Sequence, residues 1–238
     1  MARRQHISRL AAPRTWPIKK KGIKWITKPS PGPHKIELCM PLVMLLRDVL
    51  RLTHTTKESH VVLGRGTLLI NGQRRTELKY PVGLFDVVSI PSLKKHYRVL
   101  LSKKGKLMLL PISESEAKLL PLKIRDKTMV PGGRLQLNFS NGWNMLIKKD
   151  TYTPRDVILF DLKAKKALKH IKMRPGVVAY VTSGRHVGQS ALLVELKQSG
   201  KLRKVKLATL EASPTERWET TADNIFPMGE KKSEIKLE

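Results

Sequence analysis

Residues 177–196, VVAYVTSGRHVGQSALLVEL, set two runs of strand-forming residues around an insert of Gly184, Arg185, His186, Val187 and Gly188. An Asn-Gly pair alone would turn a hairpin. A longer insert with two glycines makes sense where the backbone must come close to a ligand. Glycine reaches positive φ and carries no Cβ to hold a phosphate away, and its amide donors then face backbone oxygens. Arg185 adds a cation and His186 a flat stacking surface. The stretch predicts a β-hairpin whose loop, through Gly184, Arg185, His186 and Gly188, binds nucleic acid.

The charge of the whole chain agrees. A net charge of +28 over 238 residues repels itself in a compact state unless an anion receives it. Nucleic acid is the expected partner. The excess is uneven: residues 1–36 hold ten Lys/Arg and no acid, while the last 28 residues hold seven of the nineteen acids. Everything before residue 211 therefore carries +31, from 43 basic against 12 acidic residues. The single cysteine, Cys39, excludes a disulfide framework and a thiolate zinc site, fits a reducing compartment, and reads as a small buried side chain. The apolar run MPLVMLL stops at Arg47, short of transmembrane length. The proline-punctuated N-terminus lacks the amphipathic face of a mitochondrial presequence, so a soluble, cytoplasmic protein is expected.

Residues 1–40 read as a basic N-terminal extension with too few apolar residues for a core, mobile in water. Its predicted RNA contacts are Arg3, Arg4, Arg14, Lys19, Lys20, Lys21 and Lys24. Trp16 and Trp25 either stack on unpaired bases or pack on the protein itself. Residues 41–52, PLVMLLRDVLRL, show helical spacing, with Leu42, Leu45, Leu46, Val49 and Leu50 as one stripe and Arg47 and Arg51 on another face. Thr55-Thr56-Lys57-Glu58 has capping-box form before a short helix through Leu63. The period then changes to strands, with Leu68 and Ile70 inward and a hairpin at Asn71-Gly72. Between 93 and 173 the pattern is all-β, with hairpins about Lys104-Gly105 and Asn141-Gly142 and a strand in RDVILFDL. The tail GEKKSEIKLE reads as a mobile end.

VLGRGTLLING (62–72) resembles the RNA-binding module that ribosomal protein S4 shares with many RNA-modifying enzymes. Gly66, Asn71 and Gly72 fall in register with it, while Thr55-Thr56 replaces its usual Ser-Arg pair. Within this module the basic residues Arg47, Arg51, Lys57, Arg65, Arg74 and Arg75 are the expected RNA contacts. Residues 176–196 resemble the KOW motif of small SH3-like barrels, with Gly184 and Gly188 at its glycine positions. Together with ARRQHISRLAAPRTWPI at the start and ETTADNIFPMG (219–229), the order of parts is similar to the e-type small-subunit ribosomal protein four family of archaea and eukaryotes. The short sequence beyond residue 229 leans toward an archaeal member.

The fold class expected is α+β: an extended basic segment (1–40), a small S4-like RNA-binding domain (41–92), a mostly β central domain (93–173), a C-terminal SH3-like (KOW) barrel (174–212) and a tail (213–238). The resemblance implies a non-enzymatic structural protein of the small ribosomal subunit. Its partners would be 16S/18S-type rRNA and neighbouring ribosomal proteins, with no cofactor, metal, membrane or small-molecule substrate. Two rivals are an RNA-modifying enzyme of the pseudouridine-synthase kind and a free RNA-binding regulator. The enzyme needs a carboxylate in a pocket; Asp126, Asp156 and Asp161 are available but sit in no matching motif. The seven histidines show no metal-ligand spacing.

Overall fold

A computed structural model describes residues 6–147, 150–199, 205–213, 216–230 and 232–237. The chain divides into two compact units, the first Met1–Leu101 with Gly105–Leu120, the second Ser102–Lys104 with Pro121–Glu238.

In the first unit β1 (His6–Ser8) pairs antiparallel with β2 (Trp25–Thr27), Ile7 opposite Ile26. The basic N-terminal segment is packed, contrary to the mobile extension expected. Ile26 is buried, and Trp16, 1% exposed, donates its indole N–H to the Cys39 carbonyl at 2.7 Å. The Leu107 amide donates to the Thr15 carbonyl at 2.7 Å. Two large buried side chains and these bonds offset the entropy that composition alone left unopposed.

Next come β3 (Cys39–Pro41), α1 (Leu42–Met44) and a π-helical turn over Leu45–Val49. Leu42 to Leu46 are all buried, so this short element is apolar all round rather than striped. Its i→i+5 bond, Leu50 N–H to Leu45 C=O at 2.9 Å, widens the turn, and Arg51 leaves it at φ 53°. Arg47 and Arg51 therefore share no helical face, which corrects that expectation. The helix α2 (Thr56–Gly64) starts as predicted: the Thr55 hydroxyl accepts the Glu58 amide at 3.2 Å and the Glu58 carboxylate accepts the His54 amide at 2.8 Å.

The strands β4 (Leu69–Ile70) and β5 (Gln73–Arg74) flank Asn71 and Gly72 at φ 50° and 75°. These are the left-handed values of a two-residue hairpin. Then follow β6 (Pro81–Gly83), paired with β3, and β7 (Val87–Ile90), β8 (Lys95–Leu101) and β9 (Leu107–Ile112). The sheet order is β5-β4-β7-β8-β9. Asp86 ties the sheet to the N-terminal segment. Its buried carboxylate takes His34 Nε2 at 2.9 Å, the Asn71 side-chain amide at 2.7 Å and the Gly83 amide at 2.8 Å. The short α3 (Glu114–Ala117) closes the unit over Arg98, whose buried guanidinium donates to the Glu116 and Leu119 carbonyls.

β10 (Leu119–Val130) leads into the second unit, with β11 (Arg134–Phe139), β12 (Asn144–Ile147), β13 (Val157–Asp161) and β14 (Lys166–Ile171) in the order β12-β11-β10-β13-β14. The Asn141-Gly142 hairpin forms as predicted, with Leu135 facing Ile147 and Leu137 facing Met145. The last sheet holds β15 (Val178–Val181), β16 (Ser190–Ser199), β17 (Val205–Ser213), β18 (Glu216–Thr221) and β19 (Ile225–Gly229), in the order β18-β17-β16-β15-β19. Ala179, Val181, Leu193, Ala208, Leu210 and Ile225 form its core.

Residues 216–229 are thus part of this sheet and not a tail, because the run Ile225–Met228 is apolar and buried. The end is anchored too. Ile235 is buried, the Glu234 amide donates to the Met228 carbonyl, and Lys169 pairs with Glu234 at 2.6 Å. The fold class is α+β as expected, with helices in the N-terminal part and sheet beyond. In the pairings among described residues β18 and β19 are the outer strands of the last sheet.

Candidate nucleic-acid interface

Three groups of predicted contact residues acquire a local geometry, two in the first unit and one in the second. The first is the connection between β1 and β2. Arg9 organises it: its backbone amide donates to the Lys24 carbonyl, Nε to the Ile23 carbonyl at 2.7 Å, and Nη1 to the Lys19 carbonyl at 2.8 Å. The chain from 19 to 24 is wrapped around this one guanidinium. Lys19, Lys20, Lys21 and Lys24 stand exposed on it, and Arg14 is exposed nearby in sequence. Trp25, 52% exposed, meets the His6 ring edge-on at 4.9 Å and has the Lys24 ammonium 5.3 Å from its ring centre. Trp16 lies in the core, so the packing alternative holds for it and it leaves the contact set. Arg3 and Arg4 lie outside the described residues.

The second group surrounds α2 and the β4–β5 hairpin. Lys57 and Arg65 are exposed on the helix and at its end. Arg74 is exposed but anchored, donating to the Gly64 carbonyl at 2.7 Å. Arg75 lies 4.7 Å from the Tyr80 ring centre and donates to the Gln73 side chain. Arg47 is paired with Asp48 at 3.0 Å, and Arg51 is exposed beyond the π-helical turn. Arg65 and Arg74 are brought together at the end of α2.

The third group is the loop between β15 and β16. Its ends close as a hairpin, the Val181 amide donating to the Gln189 carbonyl and the Gly188 amide to the Val181 carbonyl, both at 2.9 Å. The Gly188 amide is therefore committed within the hairpin, which corrects its expected role as a donor to a ligand. Gly184 has φ 103° and Gly188 φ 78°, both inaccessible to ordinary side chains without strain. Arg185 is exposed. His186 lies flat on Trp218 of β18, ring centres 4.1 Å apart and planes within 6°. Sequence reasoning missed Trp218, which sits in the presumed tail, and Arg9, which looks like every other residue of the basic run.

The acids named for the enzyme rival have structural duties. Asp126 pairs with Arg125, and Asp161 accepts the amides of Lys163 and Ala164. Asp156 is buried. Burial raises its carboxyl, but hydrogen bonds from the Thr153 hydroxyl, the Met173 amide, His170 and the Thr153 amide outweigh this and hold it below the usual carboxylate range. Burial and the negative Asp86 push the Cys39 thiol up to about 12, so it stays protonated. Among the described residues no group of three His, Cys, Asp or Glu could hold a metal ion, and no helix is long and apolar enough to cross a membrane.

Two family models match the chain: an RS4NT domain over residues 1–37 and the ribosomal family S4e over residues 93–167. The small ribosomal subunit protein eS4 of Methanocaldococcus jannaschii is 36% identical, covering 98% of each chain. That of Methanosphaera stadtmanae is 38% identical, covering 100% of this chain and 97% of its own. The crystal structure of the 30S ribosomal protein S4e from Thermoplasma acidophilum superposes with a TM-score of 0.70 at 28% identity, over 84% of this chain and 99% of that one.

Proposed function

The chain belongs to the small ribosomal subunit protein eS4 family, and from that premise we propose that it holds small-subunit rRNA through the three basic groups described above, as a structural and non-catalytic component of the subunit. The observation that carries the reading is the loop around Arg9. Four lysines project from a backbone fixed by three hydrogen bonds from Arg9, two from its guanidinium and one from its backbone amide. Preformed cations lose less freedom on meeting phosphate than cations on a mobile arm. Arg14, Trp25, Lys57, Arg65, Arg74 and Arg75 extend the contact in the same unit, the hairpin at Asn71-Gly72 acting as the S4-like module. The last sheet acts as the SH3-like fold that presents the KOW loop. Neighbouring ribosomal proteins and a place in the cytoplasmic small subunit follow from the same reading. Relatives from methanogens support the archaeal leaning.

Deleting residues 2–36 is a poor test, since it removes Trp16 and Ile26 from the core. The better variant converts Lys19, Lys20, Lys21 and Lys24 to Gln. Each lost phosphate contact shallows the slope of log K against log salt by about 0.7 to 0.9, so the slope falls by roughly three. Binding of a small-subunit rRNA transcript in a salt series measures it. An unaltered slope and affinity would remove this loop from the mechanism.

A further inference from the structure

We infer that the loop between β15 and β16 carries a seat for one unpaired nucleobase, made by His186 and backed by Trp218. This rests on the rRNA-binding reading and adds to it a ligand class and a residue outside the loop.

Trp218 is fixed first. It packs against the core of the last sheet and stands opposite Leu210 of β17 in register. The imidazole of His186 then lies parallel on it at 4.1 Å. A histidine at an exposed loop tip would otherwise turn freely about its last torsion. Here both ends of the loop are set as well, by the Gly188 amide on the Val181 carbonyl and by the left-handed Gly184 and Gly188. The plane of the imidazole is therefore fixed before any ligand arrives.

One face of that ring is taken by the indole, and the ring is only half-buried. His186 keeps part of its surface open, and a parallel stack of two rings can be continued by a third on its outer face. Nucleobases offer such a face when unpaired, and aromatic side chains are the usual platforms for them. The surroundings suit a nucleotide more than an apolar ligand. Arg185 is exposed beside the stack, and Ser183, Thr220 and one acid, Glu219, line a small recess against it. The recess, about 50 Å³, has room for a water or two and not for a base. The base therefore lies over the rim, flat on His186, with Arg185 placed for its phosphate. A base within a duplex has both faces covered, so the ligand is an unpaired nucleotide. Trp218 is a positioning residue, acting through His186.

The test uses the full chain bound to an in vitro transcript of small-subunit rRNA, irradiated at short wavelength, with cross-linked peptides mapped by mass spectrometry. The expected result is an adduct at His186 on a nucleotide unpaired in the rRNA. His186→Ala should abolish it and raise Kd about five- to 150-fold, the measured range for loss of one stacked base. His186→Tyr and Trp218→Phe should keep both adduct and affinity, while Trp218→Ala loses them. Thermal melts identify any Trp218 variant that fails to fold, and His186→Ala in the exposed loop then decides alone. An adduct on a paired nucleotide, none in the loop despite normal binding, or full affinity in His186→Ala overturns the inference. A wild-type chain that does not bind the transcript at all overturns the rRNA-binding reading itself.

Discussion

Trp16 and Trp25 stand in the same basic run, flanked by similar residues, yet only Trp25 is placed to meet a ligand. Nothing local separates them. The difference is made by the Cys39 carbonyl, which accepts the Trp16 indole, and by side chains distant in sequence that close over it. Trp16→Ala should cost about 3–5 kcal/mol by urea unfolding, the usual loss for a large buried aromatic. Trp25→Ala should leave stability nearly unchanged and weaken RNA binding. Arg9 shows the converse case, a cation whose duty is internal. Arg9→Lys keeps the charge and the backbone bond to Lys24, but one ammonium cannot reproduce the guanidinium fork that holds the Ile23 and Lys19 carbonyls together. Its expected effect is a several-fold loss of affinity for the rRNA transcript with an unaltered salt slope, because the lysines remain but are no longer preset.

The elements that sequence made legible are those with local causes. The Thr55–Glu58 capping box and the hairpins at Asn71-Gly72 and Asn141-Gly142 each depend on residues within one turn or one hairpin. What escaped was set at a distance: the π-helical turn after α1, which continues a fully buried run, and the two C-terminal strands, whose partners lie in β15 and β17. Asp156 links such elements, joining the start of β13 to His170 of β14 and the Met173 amide. Its carboxyl is held below the usual range, so the stability it adds is fully present above the unfolded carboxylate pKa of about 3.9 and is lost as pH falls through the folded value. Asp156→Asn should destabilise the second unit by about 1–3 kcal/mol at neutral pH. It should also flatten the acid limb, read by urea unfolding at neutral and acid pH. Lys123 runs the other way. Burial, with Arg155 nearby, pushes its ammonium down to about 8 while Asp223 opposes the shift. Between that value and its ordinary 10.5 the unfolded chain keeps a proton that the folded chain has released. Stability should therefore rise across this window relative to Lys123→Met, measured by the same unfolding assay.

At the scale of the whole molecule, the surplus of cations was the plainest signal in the sequence, and it said nothing of shape. Which cations are fastened inward, as Arg9 and Arg98 are, and which face outward, as Lys19 to Lys21 do, depends on backbone carbonyls that composition cannot see. About ten phosphate contacts should give a salt slope near −7 to −9 for the intact chain, and binding that persists in concentrated salt would argue against electrostatic clamping. The order in which the two units close has its own consequence. Thr15 and Trp16 find their partners at Leu107 and Cys39, so the first unit has every residue it needs once about 120 have been made. The second needs Glu234 and Ile235. A nascent chain that has emerged through residue 120 would thus already present a finished lysine loop, while its C-terminal half still lacked the residues that anchor it.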